Sequence, residues 1–418
     1  MLLETRAQHF WPAGVVIALL VLLRRVIYPR RRKFDAATRR EWARAAIDLV
    51  RRSGSVYNIC EGASVEAVGE GRLDLKVVAD ASRQNFLASM HGGAISAAVD
   101  VSTTLAISLC RTQTSSCLRA QRGYGTNTPP SPVTAQAVFQ EGTFPGASVS
   151  MTITYLAGCP PGAEIVAEAR VVKIGRTLAF TECVVRRAAD GVAMARGAHV
   201  KYVAAPRLYD LLLGWPRPVL ATSVLRLALR FGLAGAITKR DFRARHDYEP
   251  HDAATERDTG LPRTDDGKRA YFDTFGAAGR AMQGWDRPLA GALALVAPYV
   301  SDEKAVEWDL IVGQAHVNTF GALHGGCAAS LVDVLGSAVV AMGDPYECGV
   351  AVALDVQYAA PARKGQVLRW TAKVARRGGR LVTVSVAAVI AKTGRAVVSG
   401  SVTKSMRGLK KAAGSGKT

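Results

Sequence analysis

The sequence predicts an α+β fold that is built twice. Three observations carry this. The block NFLASMHGGAISAAVDV (residues 85–101) recurs as NTFGALHGGCAASLVDV (residues 318–334). After each block come several stretches that alternate apolar and polar residues, the period of half-buried strands. Each His-Gly-Gly opens one apolar helical stretch. Strands that run in succession, segregated from one main helix, indicate α+β rather than alternating α/β.

The two copies align element by element. Helical stretches at Ala36 to Arg52 and Arg269 to Met282 come first, then strands at Arg72 to Val78 and Ala305 to Val312. The motif helices follow. Asn318, His324 and Asp333 each lie 233 positions after Asn85, His91 and Asp100. Downstream, Val149, Met151, Ile153 and Tyr155 alternate as Val352, Leu354, Val356 and Tyr358 do, now 203 apart. The first copy therefore holds 233 − 203 = 30 extra residues, in roughly 111–144. Their Ser, Thr, Gly and Pro content reads as a surface loop. Two strands at Glu164 to Lys173 and Leu178 to Arg187 then flank a turn at Ile174 to Thr177. Their counterparts are Val367 to Arg376 and Leu381 to Ala391, around Arg377 to Arg380. This gives five segments: 1–35 before the repeats, a first domain at 36–205, a connection at 206–268, a second domain at 269–407 and a basic tail at 408–418.

The flanking segments carry their own expectations. Phe10 to Leu23 is nearly all apolar, followed by Arg24, Arg25 and the basic cluster Arg30 to Lys33. Fourteen helical residues reach only about 21 Å, short of a bilayer core of about 30 Å. Residues 10–28 reach a spanning length if the arginines snorkel. The cluster would then keep the rest of the chain on the cytosolic face. An organelle-targeting segment, mitochondrial for example, is the rival reading. Pro218 to Ile237 reads as an apolar helix packed on one of the domains, with an interfacial membrane helix as the alternative. Arg243 to Lys268 reads as a solvated linker.

The formal net charge of +20 favours an anionic partner. Nucleic acid is the weaker candidate, because zinc-finger spacing and RNA-binding aromatics are missing from the sequence. Seven cysteines without a CxxC pair suggest neither a disulfide framework nor a zinc site. His199, His246, His251 and His316 show no metal spacing. The terminal Gly-Lys-Thr is no phosphate-binding loop, since Lys411 stands where that pattern needs glycine.

The motif has a chemical logic. Gly92 and Gly325 open helices, so their N–H groups have no intrahelical acceptor and sit at the positive end of the dipole. Such an N–H can polarise a carbonyl. Asp100 comes eight residues after Gly92, roughly 12 Å along a helix and about 80° around it. The two cannot meet at one carbonyl, and neither can Gly325 and Asp333. Donor and carboxylate must therefore come from different copies, with the motif helices antiparallel, giving two composite sites. The carboxylate can attack directly or activate water. Asn85 and Asn318, six residues before each His-Gly-Gly histidine, can orient water or the carbonyl. Helix capping, tight packing and a satisfied buried carboxylate would explain one isolated copy equally well.

NxxxxxHGGxxxxxVD, followed by SVSMTITYL and VVKIGRTLAFT, resembles the hot-dog acyl-CoA thioesterases of the phenylacetyl-CoA-thioesterase and thioesterase-superfamily group. The resemblance covers about 36–203 and 269–406. It implies two tandem hot-dog domains, each an antiparallel sheet wrapped around a long helix, packed as an intramolecular pseudo-dimer. It implies hydrolysis of acyl-CoA to free acid and CoA, with CoA entering as part of the substrate and no separate cofactor or metal. By that resemblance Gly92 and Gly325 polarise the thioester, Asp100 and Asp333 are the carboxylates, and Asn85 and Asn318 position water or substrate. Ser148 matches a supporting serine, whereas Ala351 stands in its place in the second copy. One site (Asn318, Gly325, Asp100, Ser148) is then complete, and the other (Asn85, Gly92, Asp333) lacks the hydroxyl. His91 and His324 rank below the aspartates, as residues that shape the helix start. Lys173, Arg176, Arg376 and Arg380 lie at turns where related enzymes meet the CoA phosphates. A non-catalytic acyl-CoA-binding protein is the alternative. Acyl chain length and pairing with a further copy of the chain stay open.

Overall fold

The computed structural model describes residues 36–51, 59–85, 88–113, 139–141, 146–175, 177–203, 285, 289, 292–300, 305–318, 321–341 and 348–406. The expected anchor at 10–28, the helices at Pro218 to Ile237 and Arg269 to Met282, and the linker and tail lie outside them. No helix among the described residues is long and apolar enough to cross a membrane.

Helix α1 (Ala36–Arg51) buries Ala43 and Ile47, with Trp42, Ala46 and Val50 half-buried beside them. That spacing of three and four is one helical face. Strands β1 (Ser64–Gly69) and β2 (Arg72–Val78) form a hairpin turning at Gly71, whose φ of 66° suits glycine. Helix α2 (Gly92–Ser108) follows. It is buried on nearly every side, as expected of a helix apolar all round. The strands β5 (Ala147–Tyr155), β6 (Glu164–Ile174), β7 (Leu178–Arg187) and β8 (Ala193–Tyr202) complete the first copy.

Between α2 and β5 the sequence predicts only loop. Its two ends instead pair as a short ribbon, β3 (Arg111–Gln113) with β4 (Phe139–Glu141). Pairing satisfies backbone groups at the base of the long insertion, and the Ser/Thr/Pro-rich middle masks that pattern in the sequence.

The second copy repeats the design: β9 (Leu293–Val300), β10 (Ala305–Ile311), α3 (Gly325–Val340), then β11 (Val350–Tyr358), β12 (Val367–Arg377), β13 (Leu381–Ile390) and β14 (Ala396–Ser405). The twelve long strands form one antiparallel sheet in the order β1-β2-β6-β7-β8-β5-β11-β14-β13-β12-β10-β9. Read outward from the middle, both halves have the same order. The seam is β5 against β11, from Ser150 opposite Gln357 to Thr154 opposite Ala353. Thr152 Oγ1 donates to Asp355 Oδ1 across it at 2.6 Å.

Both long helices lie on this sheet and touch each other. Gly197 of β8 shows how closely they pack, since a Cβ there would stand 2.6 Å from Val99 Cγ1 of α2. Trp370, Leu75, Ile153, Leu354 and Val402 are fully buried in the resulting core. Each such Val or Leu contributes about 1.5–3 kcal/mol of apolar burial. The six described cysteines are buried thiols.

Candidate active site

Each motif helix begins at a histidine. His91 and His324 are the N-caps, and Nδ1 of each accepts from the N–H two residues on, Gly93 at 2.8 Å and Gly326 at 3.0 Å. An accepting Nδ1 leaves the ring proton on Nε2, so in the neutral form the ring's acceptor side is committed to the helix start. Tyr155 and Tyr358 brace the same turns, their hydroxyls donating to Gly92 O and Gly325 O at 3.0 Å. The asparagines brace the preceding loops. Asn85 Oδ1 accepts from Ser89 N–H at 3.1 Å, and Asn318 Oδ1 accepts from Ala322 N–H at 3.3 Å.

The aspartates are exchanged between copies. Asp100, on α2, reaches the start of α3, where Gly326 N–H donates to its Oδ2 at 2.9 Å. A Cβ on Gly325 would stand 2.8 Å from that oxygen and 3.0 Å from Ser148 Oγ. Carboxylate and hydroxyl thus converge on one glycine where a larger residue does not fit. Reciprocally, a Cβ on Gly92 would stand 2.8 Å from Asp333 Oδ2 and 3.3 Å from Tyr155 OH. Ser148 reaches its place through a β-bulge, the register of β5 against β8 shifting between Ser148 and Ser150. Ala351 sits at the equivalent bulge between β11 and β14.

Around Asp100 lies a cavity of about 420 Å³. Asp100, Ser148, Asn318, His324 and Gly325 all line it. Val50, Val101, Leu105 and Ala328 give it an apolar wall. Lys173 is exposed near the end of β6, and Arg376 and Arg380 are exposed at the β12–β13 turn. None of these three lines this cavity. Arg176 lies outside the described residues.

Two buried lysines were not singled out from the sequence. Lys201, on β8, stands 3.7 Å from Asp100 Oδ1 and donates to Thr104 Oγ1 at 2.7 Å. Lys404, on β14, donates directly to Asp333 Oδ1. Their spacing, 404 − 201 = 203, is the strand offset already visible in the two tyrosines. A charged residue repeating at that offset was the available signal. His199 is also buried, with Nδ1 2.8 Å from Thr103 Oγ1 and 3.7 Å from Asp100 Oδ1.

Burial works against ionising Asp100. Lys201, then His324 and His199, and the Gly326 N–H outweigh it and hold the carboxyl well below its usual range. Asp333 is likewise held low against its burial, by Lys404 foremost and then His91. Burial lowers His199 to about 3 and also lowers His324. Both imidazoles are therefore neutral near pH 7, leaving Lys201 and the Gly326 N–H as the stabilisers of the Asp100 charge there. The site thus presents an ionised carboxylate, a hydroxyl and a helix N-terminus around one point.

The profile of the thioesterase superfamily matches residues 87–194 and 320–397, one stretch in each copy. Acyl-coenzyme A thioesterase 13 of Mus musculus is 30% identical over 123 residues, which cover 29% of this chain and 85% of that protein. The Homo sapiens protein of the same name is 32% identical over 96 residues, covering 23% of this chain and 69% of that one. Among solved structures, zebrafish thioesterase superfamily member 2 is 26% identical, covering 40% of this chain and 97% of its own, with a TM-score of 0.29. By its relatives and its two matched stretches, this chain belongs to the thioesterase superfamily, with the hot-dog fold.

Proposed function

We propose that the chain hydrolyses acyl-CoA to free acid and CoA at a composite site between two hot-dog units, residues 36–205 and 269–407, paired as an intramolecular pseudo-dimer. The observation that carries the reading is the convergence of Asp100 and Ser148, from one copy, on Gly325, from the other. Membership of the thioesterase superfamily supports the reaction class.

The thioester carbonyl would accept from Gly325 N–H, whose position at the start of α3 favours the developing oxyanion. Asp100 Oδ2 would then take a proton from a water that attacks the carbonyl carbon. Collapse of the tetrahedral intermediate breaks the C–S bond, and the CoA sulfur leaves with the proton that Asp100 took, which restores the carboxylate. Direct attack by Oδ2, giving an anhydride that water then opens, is the other carboxylate route. Ser148 and Asn318 orient water and carbonyl, and His324 shapes the donor turn. Lys173 is a candidate for the phosphates of CoA, because the β6–β7 turn lies at the sheet end that also holds Ala147 and Tyr202 of the cavity wall.

The Asp333 site is read as slower or specialised for binding. Ala351 stands where Ser148 would be, and Lys404 already occupies Asp333 Oδ1. Anchoring through residues 10–28 remains part of the proposal and would leave the active units on the cytosolic face, with an organelle-targeting role for that segment, mitochondrial for example, as the alternative.

The test is CoA release by the purified full-length protein on short, medium and long acyl-CoAs, beside Asp100→Asn. Turnover that depends on Asp100 is expected. Tight acyl-CoA binding without turnover at any chain length would leave a binding protein instead.

A further inference from the structure

The two oxygens of Asp100 have different surroundings. Oδ2 faces α3, where Gly326 N–H donates at 2.9 Å and Gly325 lies in closest approach. Oδ1 faces β8, with Lys201 Nζ and His199 Nδ1 each at 3.7 Å, and Thr104 Oγ1 donates to it at 3.3 Å. Lys201 is only 4% exposed, yet it lines the cavity. A buried ammonium needs a partner, because desolvation costs more than an exposed pair returns. The second copy repeats the device, with Lys404 3% exposed on Asp333 Oδ1. The buried cation is thus part of the repeated unit and not an accident of one strand.

We propose that Lys201 is the positioning residue of the Asp100 site: by holding Oδ1 it fixes the carboxylate so that Oδ2 is the oxygen offered to water or thioester at Gly325. This rests on the thioesterase reading above. Thr104 seats the ammonium so that it stands beside Oδ1 without closing on it. The titratable groups facing Asp100 are Lys201 and His199 from β8, His324 at the start of α3, and the Tyr358 hydroxyl from β11. Burial raises Tyr358 well above its usual range, and burial also lowers both histidines, so none of the three carries charge near pH 7. Burial lowers the Lys201 ammonium as well, with Asp100 beside it opposing that, and Lys201 is the group that supplies positive charge. Its removal leaves a buried carboxyl whose burial then dominates.

The experiment has two independent readouts on the full-length chain. In the first, protein with 13Cγ-labelled aspartate is titrated by NMR, with Asp100→Asn identifying the resonance. The Asp100 carboxyl is expected to titrate below the ordinary 3.8 in wild type. It should titrate higher in Lys201→Met and return towards wild type in Lys201→Arg. In the second, Lys201→Met should lower kcat roughly ten- to hundredfold, the range for outer partners that orient a reacting group. KM should change little, the acid limb of the kcat profile should move to higher pH, and Lys201→Arg should recover most of the loss. A wild-type Asp100 that titrates at or above 3.8 overturns the proposal. So does a Lys201→Met acid limb that does not move, or an effect confined to KM. Should Lys201→Met not fold, the wild-type titration and Lys201→Arg decide. An Asp100 that titrates below 3.8 in wild type and higher in Lys201→Met, in a protein that turns over no acyl-CoA, would sink the thioesterase reading and leave the Lys201–Asp100 relation standing.

Discussion

The Asp100 and Asp333 sites share a frame and differ in what the frame holds. Each has a glycine-opened helix, a histidine N-cap, a tyrosine on the glycine carbonyl, and a buried aspartate beside a buried lysine. At Asp100 the lysine stands 3.7 Å away and bonds Thr104, whereas at Asp333 the lysine donates directly to the carboxylate. Ser148 becomes Ala351, His199 becomes Val402 and Thr103 becomes Gly336. Around the start of α2, Trp285 Nε1 donates to Ser330 Oγ at 2.9 Å, whereas Ala97 is the residue equivalent to Ser330 in the other copy. The difference teaches that duplication preserves the parts that hold an aspartate against a helix end. The polar groups that would make that aspartate work have diverged.

The comparison breaks first on the aspartates. Asp100→Asn should lower kcat about a thousandfold, within the range for loss of a general base or nucleophile. Asp333→Asn should cost far less, about threefold or under on the same scale. A larger loss from Asp333→Asn would reverse the ranking of the two sites. Gly325→Ala comes next. Its Cβ would press on Asp100 Oδ2 at 2.8 Å and Ser148 Oγ at 3.0 Å, so about a hundredfold loss of kcat is expected, as for a displaced oxyanion donor. Gly92→Ala meets Asp333 in the same way and should affect turnover much less, although thermal melts of both variants should be similar. The serine sharpens the comparison further. Ser148→Ala should cost about tenfold, the loss of one orienting hydrogen bond of about 1.4 kcal/mol. In an Asp100→Asn background, Ala351→Ser should raise residual turnover. No gain there would mean that Lys404 on Asp333, and not the missing hydroxyl, limits the second site.

Much of this was legible in the sequence, for a physical reason. The motif helix, the four strands that the sequence places in each copy and the pairing of Asp100 with Gly325 follow from periodicity, spacing and helix geometry, which are local or simple. The strands β1 and β9 escaped because edge strands carry weak alternation, as in Ser64–Gly69, and β8 and β14 escaped because Gly197, His199 and Lys201, and Gly400 and Lys404, interrupt the apolar alternation of their sequences. The ribbon of β3 with β4 escaped because its partners are separated by a turn-rich stretch. Lys201 and Lys404 escaped for a different reason. A lysine in an alternating strand reads as solvent-facing, and only tertiary packing shows that these two point inward to an aspartate. The exposure of Lys173, Arg376 and Arg380 at hairpin ends was legible from the turn residues beside them.

The smallest expected effect concerns His199 against Val402. His199 titrates at about 3 in the fold, against 6.5 for an ordinary histidine, because burial disfavours the imidazolium and Lys201 adds to that. Between those values the unfolded chain binds a proton that the native state refuses. Stability from this group is therefore complete above pH 6.5 and declines as the pH falls, by at most about 1.4 kcal/mol per pH unit. Asp100 contributes in the same direction only below 3.8, its folded value being depressed, and His324, also lowered by burial, declines over this interval in both proteins, so the difference between wild type and His199→Val from 6.5 to about 4 isolates His199. His199→Val copies the second site and removes the group that titrates. The bond to Thr103 is lost as well, which lowers stability by a similar amount at every pH and leaves the slope unaffected. Urea unfolding at several pH values should then give a shallower decline for His199→Val than for wild type over that interval. Parallel curves would mean that His199 is charged in the native state, and Asp100 would then be facing two cations where Asp333 faces one.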